Sequence, residues 1–386
     1  GKGSVAAMTA SALREAGLRT GLYSSPHLCT FRERIRIDGE PIGEQALVDA
    51  ASMLWPHIGK EGASFFEAST VIAFLALAQA GVDIAVVEVG LGGRLDATNV
   101  IEPEVAVVTN VSLDHVELLG STLSAVAREK AGILKRGVPA VTGVVEAEPL
   151  AVLRERAAEV GAPLHTLESS DVQVVTTGRT GTDLSVRTAR WGLTQLRTAL
   201  AGAHQARNAA LAVRALELLP DALRPELDAV SAGLRAVRWP GRLQTERLLA
   251  RTWVFDVAHN VAAVQALVRA LPELGLPRPL VALVGVLGDK DWKKMMVPIA
   301  AAADAVVLTQ PPTAPADRRW DPDRVLALVP MPGAEVVHDF SDALARARQL
   351  AGRGGDGTVL VTGSFHTVGD ALIELGLAPY GADPPP

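Results

Sequence analysis

Cysteine is almost absent from this 386-residue chain, Cys29 being the only one. A single thiol forms no intrachain disulfide, and cysteine-rich zinc and iron–sulfur sites are excluded by counting. A reducing, cytoplasmic compartment fits that usage best. Surplus positive charge is lacking too: 37 Lys and Arg stand against 43 Asp and Glu, for a net charge of −6. Such a chain has no excess of cations for a phosphate backbone or an anionic membrane surface, which argues against dedicated nucleic-acid or membrane binding. Long apolar runs are missing, since the stretches 71–80 and 84–89 fall short of the roughly 20 residues that span a bilayer. Internal repeats are missing as well. No G-x-G-x-x-G follows a strand in the second half of the chain, which disfavours a dinucleotide-dependent dehydrogenase.

What is present is globular. Hydrophobic residues make up 48% and charged residues 21%, with a mean hydropathy of +0.23, far from the composition of disordered chains. At about 150 residues per domain the length suggests two or three domains, two being the natural reading. The chain starts abruptly at Gly1, with no signal peptide, initiator Met or lead-in strand, so the natural N-terminus is expected upstream.

The recurring pattern is a β-branched run, a Gly or polar break, then a helical run. The runs 84–89 and 105–108 are almost continuously apolar, as in parallel strands covered on both faces. Helices are predicted over 3–16, 67–80, 146–160 and 222–236, with Ser121 as the N-cap of a helix that passes Lys130, and another helix carries 204–208. Short strands are predicted at 172–176 and 184–188. A proline–glycine break at Trp239-Pro240-Gly241-Arg242 marks the domain boundary, after which strands at 253–256, 281–286, 305–309, 335–337 and 358–362 alternate with helices. The second unit is therefore a smaller parallel α/β domain, and the Pro-rich end from Gly381 is expected to fray.

Several polar groups fall where such sheets bind ligands, at the C-terminal ends of strands. Gly1-Lys2-Gly3-Ser4 opens an Ala-rich helix and looks like the last half of a phosphate-binding loop, in which backbone N–H groups, Lys2 and Ser4 would meet phosphates and Mg²⁺. Taken alone it reads equally as a loose chain end. Glu88 ends an apolar strand and offers the hard oxygen that Mg²⁺ prefers, or simply faces solvent. Asp114-His115 reaches the same sheet edge, where His115 suits either a metal or a hydrogen-bonding, general-base role. Lys130 alone reads as a helix-surface lysine. Asp256-Val257-Ala258-His259-Asn260 and Gly363-Ser364-Phe365-His366 end strands of the second domain, as site residues or as helix caps.

Together these segments resemble the folylpolyglutamate synthase and dihydrofolate synthase family of the Mur ligase superfamily. The likeness runs from residue 1 to about 370 and rests on ordered motifs: Ser24-Ser25-Pro26-His27-Leu28, Phe31-Arg32-Glu33-Arg34-Ile35, Glu88 through Asn99, Leu113-Asp114-His115, Arg128-Glu129-Lys130-Ala131-Gly132-Ile133, Pro240-Gly241-Arg242 and Asp256 through Asn260. The resemblance implies an α/β chain with a P-loop N-terminal ATPase domain (1–238), a linker (239–247) and a smaller Rossmann-like C-terminal glutamate ligase domain (248–386).

It also implies an ATP-dependent ligase that adds L-glutamate to folates, and to dihydropteroate, through an acyl phosphate. By that likeness Gly1, Lys2, Gly3, Ser4, Asn208, Arg242 and Asp256 serve ATP; Ser4, Glu88, His115 and Lys130, the last as a carbamate, hold two Mg²⁺ ions. Phe66, Asp96 and Ala97 line the pterin pocket, His259 and Ser364 meet the incoming glutamate, and Lys2, Lys130 and His259 carry the catalysis. The family is usually monomeric. A folylpolyglutamate synthase without the second activity, another Mur-type amino-acid ligase and a non-catalytic nucleotide-binding relative are the alternatives. The Ser24–Leu28 and Leu91–Asp96 runs speak against the second, and the complete metal set against the third.

Overall fold

The computed structural model describes residues 1–113 and 115–383, so Asp114 and the last three prolines lie outside the described residues. In the N-terminal half, strand Thr20–Tyr23 pairs in parallel with Ile84–Val87 and antiparallel with Ile35–Ile37, and Glu40–Pro41 extends that edge. A second, all-parallel sheet holds Ala106–Val108, Ala140–Thr142 and Leu164–Thr166. One apolar cluster joins the two: Val5, Met8 and Leu13 of helix Lys2–Glu15 pack with Ala209 and Leu216 of helix His204–Glu217, and Ile84, Val86, Val105 and Val107 from both sheets lie against them. Parallel strands bring their C-terminal ends to one edge, and both helices start there.

An antiparallel sheet of Val172–Gly178, Gly181–Thr188 and Gly192–Thr198 follows. Its third strand is not predicted by the sequence pattern; neither is helix Glu44–Glu61, whose run of helix formers is interrupted by Pro56. Two predicted helix starts move for identifiable reasons. Thr122, not Ser121, caps Leu123–Ala131, because its hydroxyl accepts from Ala125 N–H. The helix expected from residue 222 begins at Leu227, since Pro225 disfavours helical geometry in the residue before it.

The C-terminal half is a six-stranded sheet in the order Gln244–Leu248, Arg251–Asp256, Thr358–Thr362, Leu280–Val284, Ala305–Leu308, Ala334–Val336. Only the first of these runs antiparallel. It occupies residues 244–247, which the sequence suggests as linker: a hairpin turning at Leu249 and Ala250, both at positive φ, folds them back onto the next strand. The central strands are buried along their whole length, which matches their unbroken Val and Leu runs. Among the described residues no helix is long and apolar enough to cross a membrane.

The halves are tied by more than the hinge. Leu28 and Cys29, from the loop after the first strand, pack into the C-terminal core with Val257, Val368 and Leu372. Gly369 lacks a side chain where the Leu28 carbonyl presses on it, and Cys29 Sγ lies 3.8 Å from the Gly369 carbonyl oxygen. Within the end expected to fray, Asp383 is docked: its carboxylate accepts from Thr30 Oγ1 at 2.6 Å and from Phe31 N–H at 2.7 Å. Arg36 lies between the Trp239 and Tyr380 rings, 4.8 and 4.9 Å from their centroids.

Candidate active site

The helix Lys2–Glu15 starts beside the end of strand Ile84–Val87, so a lysine in its first turn reaches the chain that leaves that strand. Lys2 Nζ donates to the carbonyls of Val89 at 2.9 Å and Gly90 at 3.1 Å. Ser4 is buried two residues on, and its Oγ accepts from Gln205 Nε2 at 3.4 Å. Gln205 in turn takes Asn208 Nδ2 on its Oε1 at 2.9 Å, which fixes the amide of Asn208 next to Gly1. Gln205 is a positioning residue that sequence reasoning missed, for it bears no charge and sits within a helix. Gly3 faces the hinge: a Cβ there would lie 2.9 Å from Trp239 Nε1.

Glu88 follows the strand and is buried. Burial pushes its carboxyl above the usual range, while Lys2 and Arg242 pull the other way. The buried Glu88 carboxylate is a hard oxygen of the kind Mg²⁺ prefers. The Gly90–Asp96 loop beyond it is organised by Asp96, whose Oδ2 accepts from Leu91 N–H at 2.9 Å and whose Oδ1 accepts from Thr98 N–H and Oγ1 at 3.0 and 2.6 Å. Asp96 also caps the short turn that Ala97 begins. The Phe66 ring fills the space where Gly90 has no side chain, and it lies 6.3 Å from the Tyr23 ring. Phe66, Gly90 and Lys2 thus form one continuous wall.

Lys130 sits in the last turn of helix Leu123–Ala131, against which the same loop packs: Arg94 N–H donates to the Glu129 carbonyl at 2.8 Å, and the two side chains form an ion pair at 2.9 Å. His115 lies on the connection after Ala106–Val108, with a positive φ of 50° and an exposed side chain. Among the described residues no three His, Cys, Asp or Glu side chains gather as metal ligands. The four residues suggested for metal include one serine and one lysine, a mixture that such a cluster would not contain.

Across the cleft, Asp256 ends its strand and accepts from Leu243 N–H and Ala258 N–H, both at 3.0 Å. Burial raises its pKa and lowers that of Arg242; each opposes the shift of the other, and Glu88 also favours the charged Arg242. Arg242 therefore stands between a carboxylate of each domain, with its guanidinium carbon 5.4 Å from the Phe365 ring centroid. His259 Nδ1 lies 2.9 Å from the Val257 carbonyl oxygen, which can only accept, so the proton resides on Nδ1 and Nε2 is the basic nitrogen. The His259 ring is 5.3 Å from that of Phe365. Ser364 caps helix Phe365–Glu374, its Oγ accepting from Thr367 N–H at 3.0 Å. The two sheets thus bring Lys2, Glu88, Arg242 and Asp256 to one electrostatically coupled centre, with His259 and Ser364 on the C-terminal side.

Known proteins are similar to this chain along its length. The Mur ligase middle domain matches residues 1–216, and the Mur ligase glutamate ligase domain matches 241–365. A dihydrofolate synthase/folylpolyglutamate synthase from Mycobacterium tuberculosis is 36% identical over 98% of this chain and 85% of its own length. The solved M. tuberculosis folylpolyglutamate synthase, complexed with ADP and AMPPCP, superposes with a TM-score of 0.88 at 34% identity, covering 100% of this chain and 90% of that one. A bifunctional folylpolyglutamate synthase/dihydrofolate synthase solved with Mn, AMPPNP and L-glutamate gives a TM-score of 0.82 at 31% identity over 97% and 87%. The chain spans only 44% of a probable bifunctional folylpolyglutamate synthase/dihydropteroate synthase from Haloferax volcanii, to which it is 37% identical over 96% of its own residues. These matches run along both halves: the chain belongs to the folylpolyglutamate synthase and dihydrofolate synthase family of Mur ligases.

Proposed function

We propose that this protein is an ATP-dependent ligase that joins L-glutamate to folates and to dihydropteroate. The observation that carries this reading is the grouping of the Lys2 ammonium, Glu88, Arg242 and Asp256 where two α/β units face each other. Residues 1–238 form the nucleotide domain, 239–243 the linker, and the glutamate ligase domain begins with the strand at Gln244. The relatives solved with adenine nucleotides, Mn and L-glutamate support these substrates for this chain.

In this reaction a substrate carboxylate oxygen attacks the γ-phosphorus of ATP, and the bond to ADP breaks. The glutamate amine then attacks the acyl carbon, phosphate leaves, and the amine proton passes to a base. Lys2 neutralises charge on the transferring phosphoryl group once it exchanges the Val89 and Gly90 carbonyls for phosphate oxygens. Asn208, Arg242 and Asp256 bind the nucleotide, and Phe66, Asp96 and Ala97 shape the acceptor pocket. His259 Nε2 is the base for the amine, and Ser364 holds the incoming glutamate beside it. Ser4 and Glu88 would hold one Mg²⁺, with His115 and a carbamylated Lys130 serving a second, and these ions would supply charge neutralisation at the phosphates. Closure of the two units excludes the water that would hydrolyse the acyl phosphate.

The test is phosphate release that requires both ATP and glutamate, measured in parallel with dihydropteroate and with a reduced monoglutamyl folate. Release with both acceptors is expected. Release with one alone assigns that single step, and silence with both in a protein that binds ATP overturns the proposal.

A further inference from the structure

The segment Phe31-Arg32-Glu33-Arg34-Ile35 has so far served only as a mark of family likeness, yet it buries two opposite charges whose surroundings differ. The Glu33 carboxylate accepts from three successive backbone N–H groups, those of Leu28 at 2.9 Å, Cys29 at 3.0 Å and Thr30 at 3.1 Å. Its capacity is used in folding that loop. Arg34, the next residue, is only 7% exposed, and among the described residues no carboxylate lies within 4.0 Å of its guanidinium. Its Nε donates to His27 Nδ1 at 2.9 Å, and its guanidinium carbon sits 5.5 Å from the Phe31 ring centroid and 5.2 Å from that of Phe65. Burial, with Arg34 adding to it, pushes His27 down to about 4, so at neutral pH His27 is an uncharged acceptor and the guanidinium keeps the full charge of the pair.

A buried guanidinium walled by aromatic rings, without an acid from its own chain, is costly to maintain unless an anion completes it. The planar fork suits a carboxylate, which it can bind through two parallel N–H groups. Its location supplies the candidate. Phe65 begins the helix whose second residue, Phe66, lies on Gly90 beside the carbonyls that hold Lys2. Tyr23 neighbours both Phe66 and Arg34. Arg34 is therefore one ring away from the proposed acceptor pocket.

We propose that Arg34 binds the carboxylate of the acceptor that does not react, the α-carboxylate of a terminal glutamyl residue. This inference rests on the ligase reading above. Dihydropteroate has a single carboxylate, which must go to the phosphorus, so it leaves Arg34 nothing to hold; a glutamylated folate has a second one. Arg34 is thus the residue that separates chain extension from addition of the first glutamate.

The experiment compares full-length wild type with Arg34→Met and Arg34→Lys, using both acceptors, and follows thermal unfolding without ligand. Arg34→Met is expected to raise KM for the monoglutamyl folate about 30-fold or more while moving KM for dihydropteroate less than about threefold. Its unfolding midpoint should equal or exceed that of wild type, because a buried unpaired charge has been removed. Arg34→Lys should recover part of the lost affinity. An equal rise in KM for both acceptors, a lowered midpoint or an unchanged KM for the folate would each show that Arg34 only supports the fold, and would overturn the proposal. Wild type inactive with both acceptors would instead bring down the ligase reading itself, and this inference with it.

Discussion

The Trp239 indole rests on Gly3, so closely that a Cβ at Gly3 would stand 2.9 Å from Nε1 and 3.0 Å from Cζ2. The hinge residue thus touches the helix that carries Lys2 and Ser4, and it also stacks with Arg36, whose guanidinium donates to the Tyr380 hydroxyl at 3.3 Å. The start of helix Lys2–Glu15, the hinge and Tyr380 are linked through two side chains, Trp239 and Arg36.

Gly3→Ala must displace that indole. Overpacking of this size costs about 1–3 kcal/mol, and the unfolding midpoint should fall accordingly. In wild type, adding ATP with Mg²⁺ should change tryptophan emission, and Trp239→Phe should abolish most of the change. A nucleotide response that survives Trp239→Phe would show that the hinge does not sense the phosphate loop.

Lys2 makes two hydrogen bonds that phosphate oxygens can replace. Lys2→Met should lower glutamate-dependent phosphate release about 10²- to 10³-fold, the usual effect of removing one charge-stabilising donor. Circular dichroism should show the fold intact. More than a tenth of the wild-type rate would remove Lys2 from the phosphoryl-transfer step.

His27 gives stability a dependence on pH. Its pKa is about 4 in the folded protein against 6.5 in the unfolded chain, with burial as the main cause. Between those values the unfolded chain binds a proton that the folded one refuses. The contribution is therefore complete above pH 6.5 and drains away as pH falls toward 4, by about 3 kcal/mol in total. Urea titrations at pH 7 and pH 5 should show the loss, and His27→Gln should reduce the difference. A slope unchanged by that substitution would assign it to other groups.

Cys29 is buried between the halves, and burial, reinforced by Glu33, pushes its thiol up to about 12. Maleimide or iodoacetamide at pH 8 should label it about 10³-fold more slowly than in urea, since only the thiolate reacts. Labelling at the rate of a free thiol would mean that the Leu28–Cys29 loop leaves the C-terminal core in solution.

The sequence showed most where burial is simplest. The strand at Thr358–Thr362 and the core of Leu280–Val284 are visible because strands covered on both faces must be apolar throughout. Glu88 and Asp256 were legible as polar residues bordering such runs, and Lys2 by its place in Gly1-Lys2-Gly3-Ser4 ahead of a helix. The strand Gly192–Thr198 was not, for its two leucines, Leu193 and Leu196, fall on opposite faces and the neighbouring strand sets its register. Nor was the work of Glu33, Asp96 and Asp383, since their partners are largely backbone N–H groups and hydroxyls, which leave no complementary charge in the sequence. Arg34 is the converse: its significance lies in the acid it lacks, and only packing shows that.

The passage of Leu28 and Cys29 into the far core bears on how such a protein can be rearranged. Its two halves meet the eye as modules joined at Pro240, and a chimera built by exchanging everything beyond that proline would respect every strand. It would still be wrong by two residues. The grafted half would receive its neighbour's Leu28 and Cys29 against a surface shaped for another loop, with the close approach at Gly369 lost or blocked. A transplantable unit here is the C-terminal sheet together with the loop 24–31, two stretches more than 200 residues apart in the chain that must change hands together.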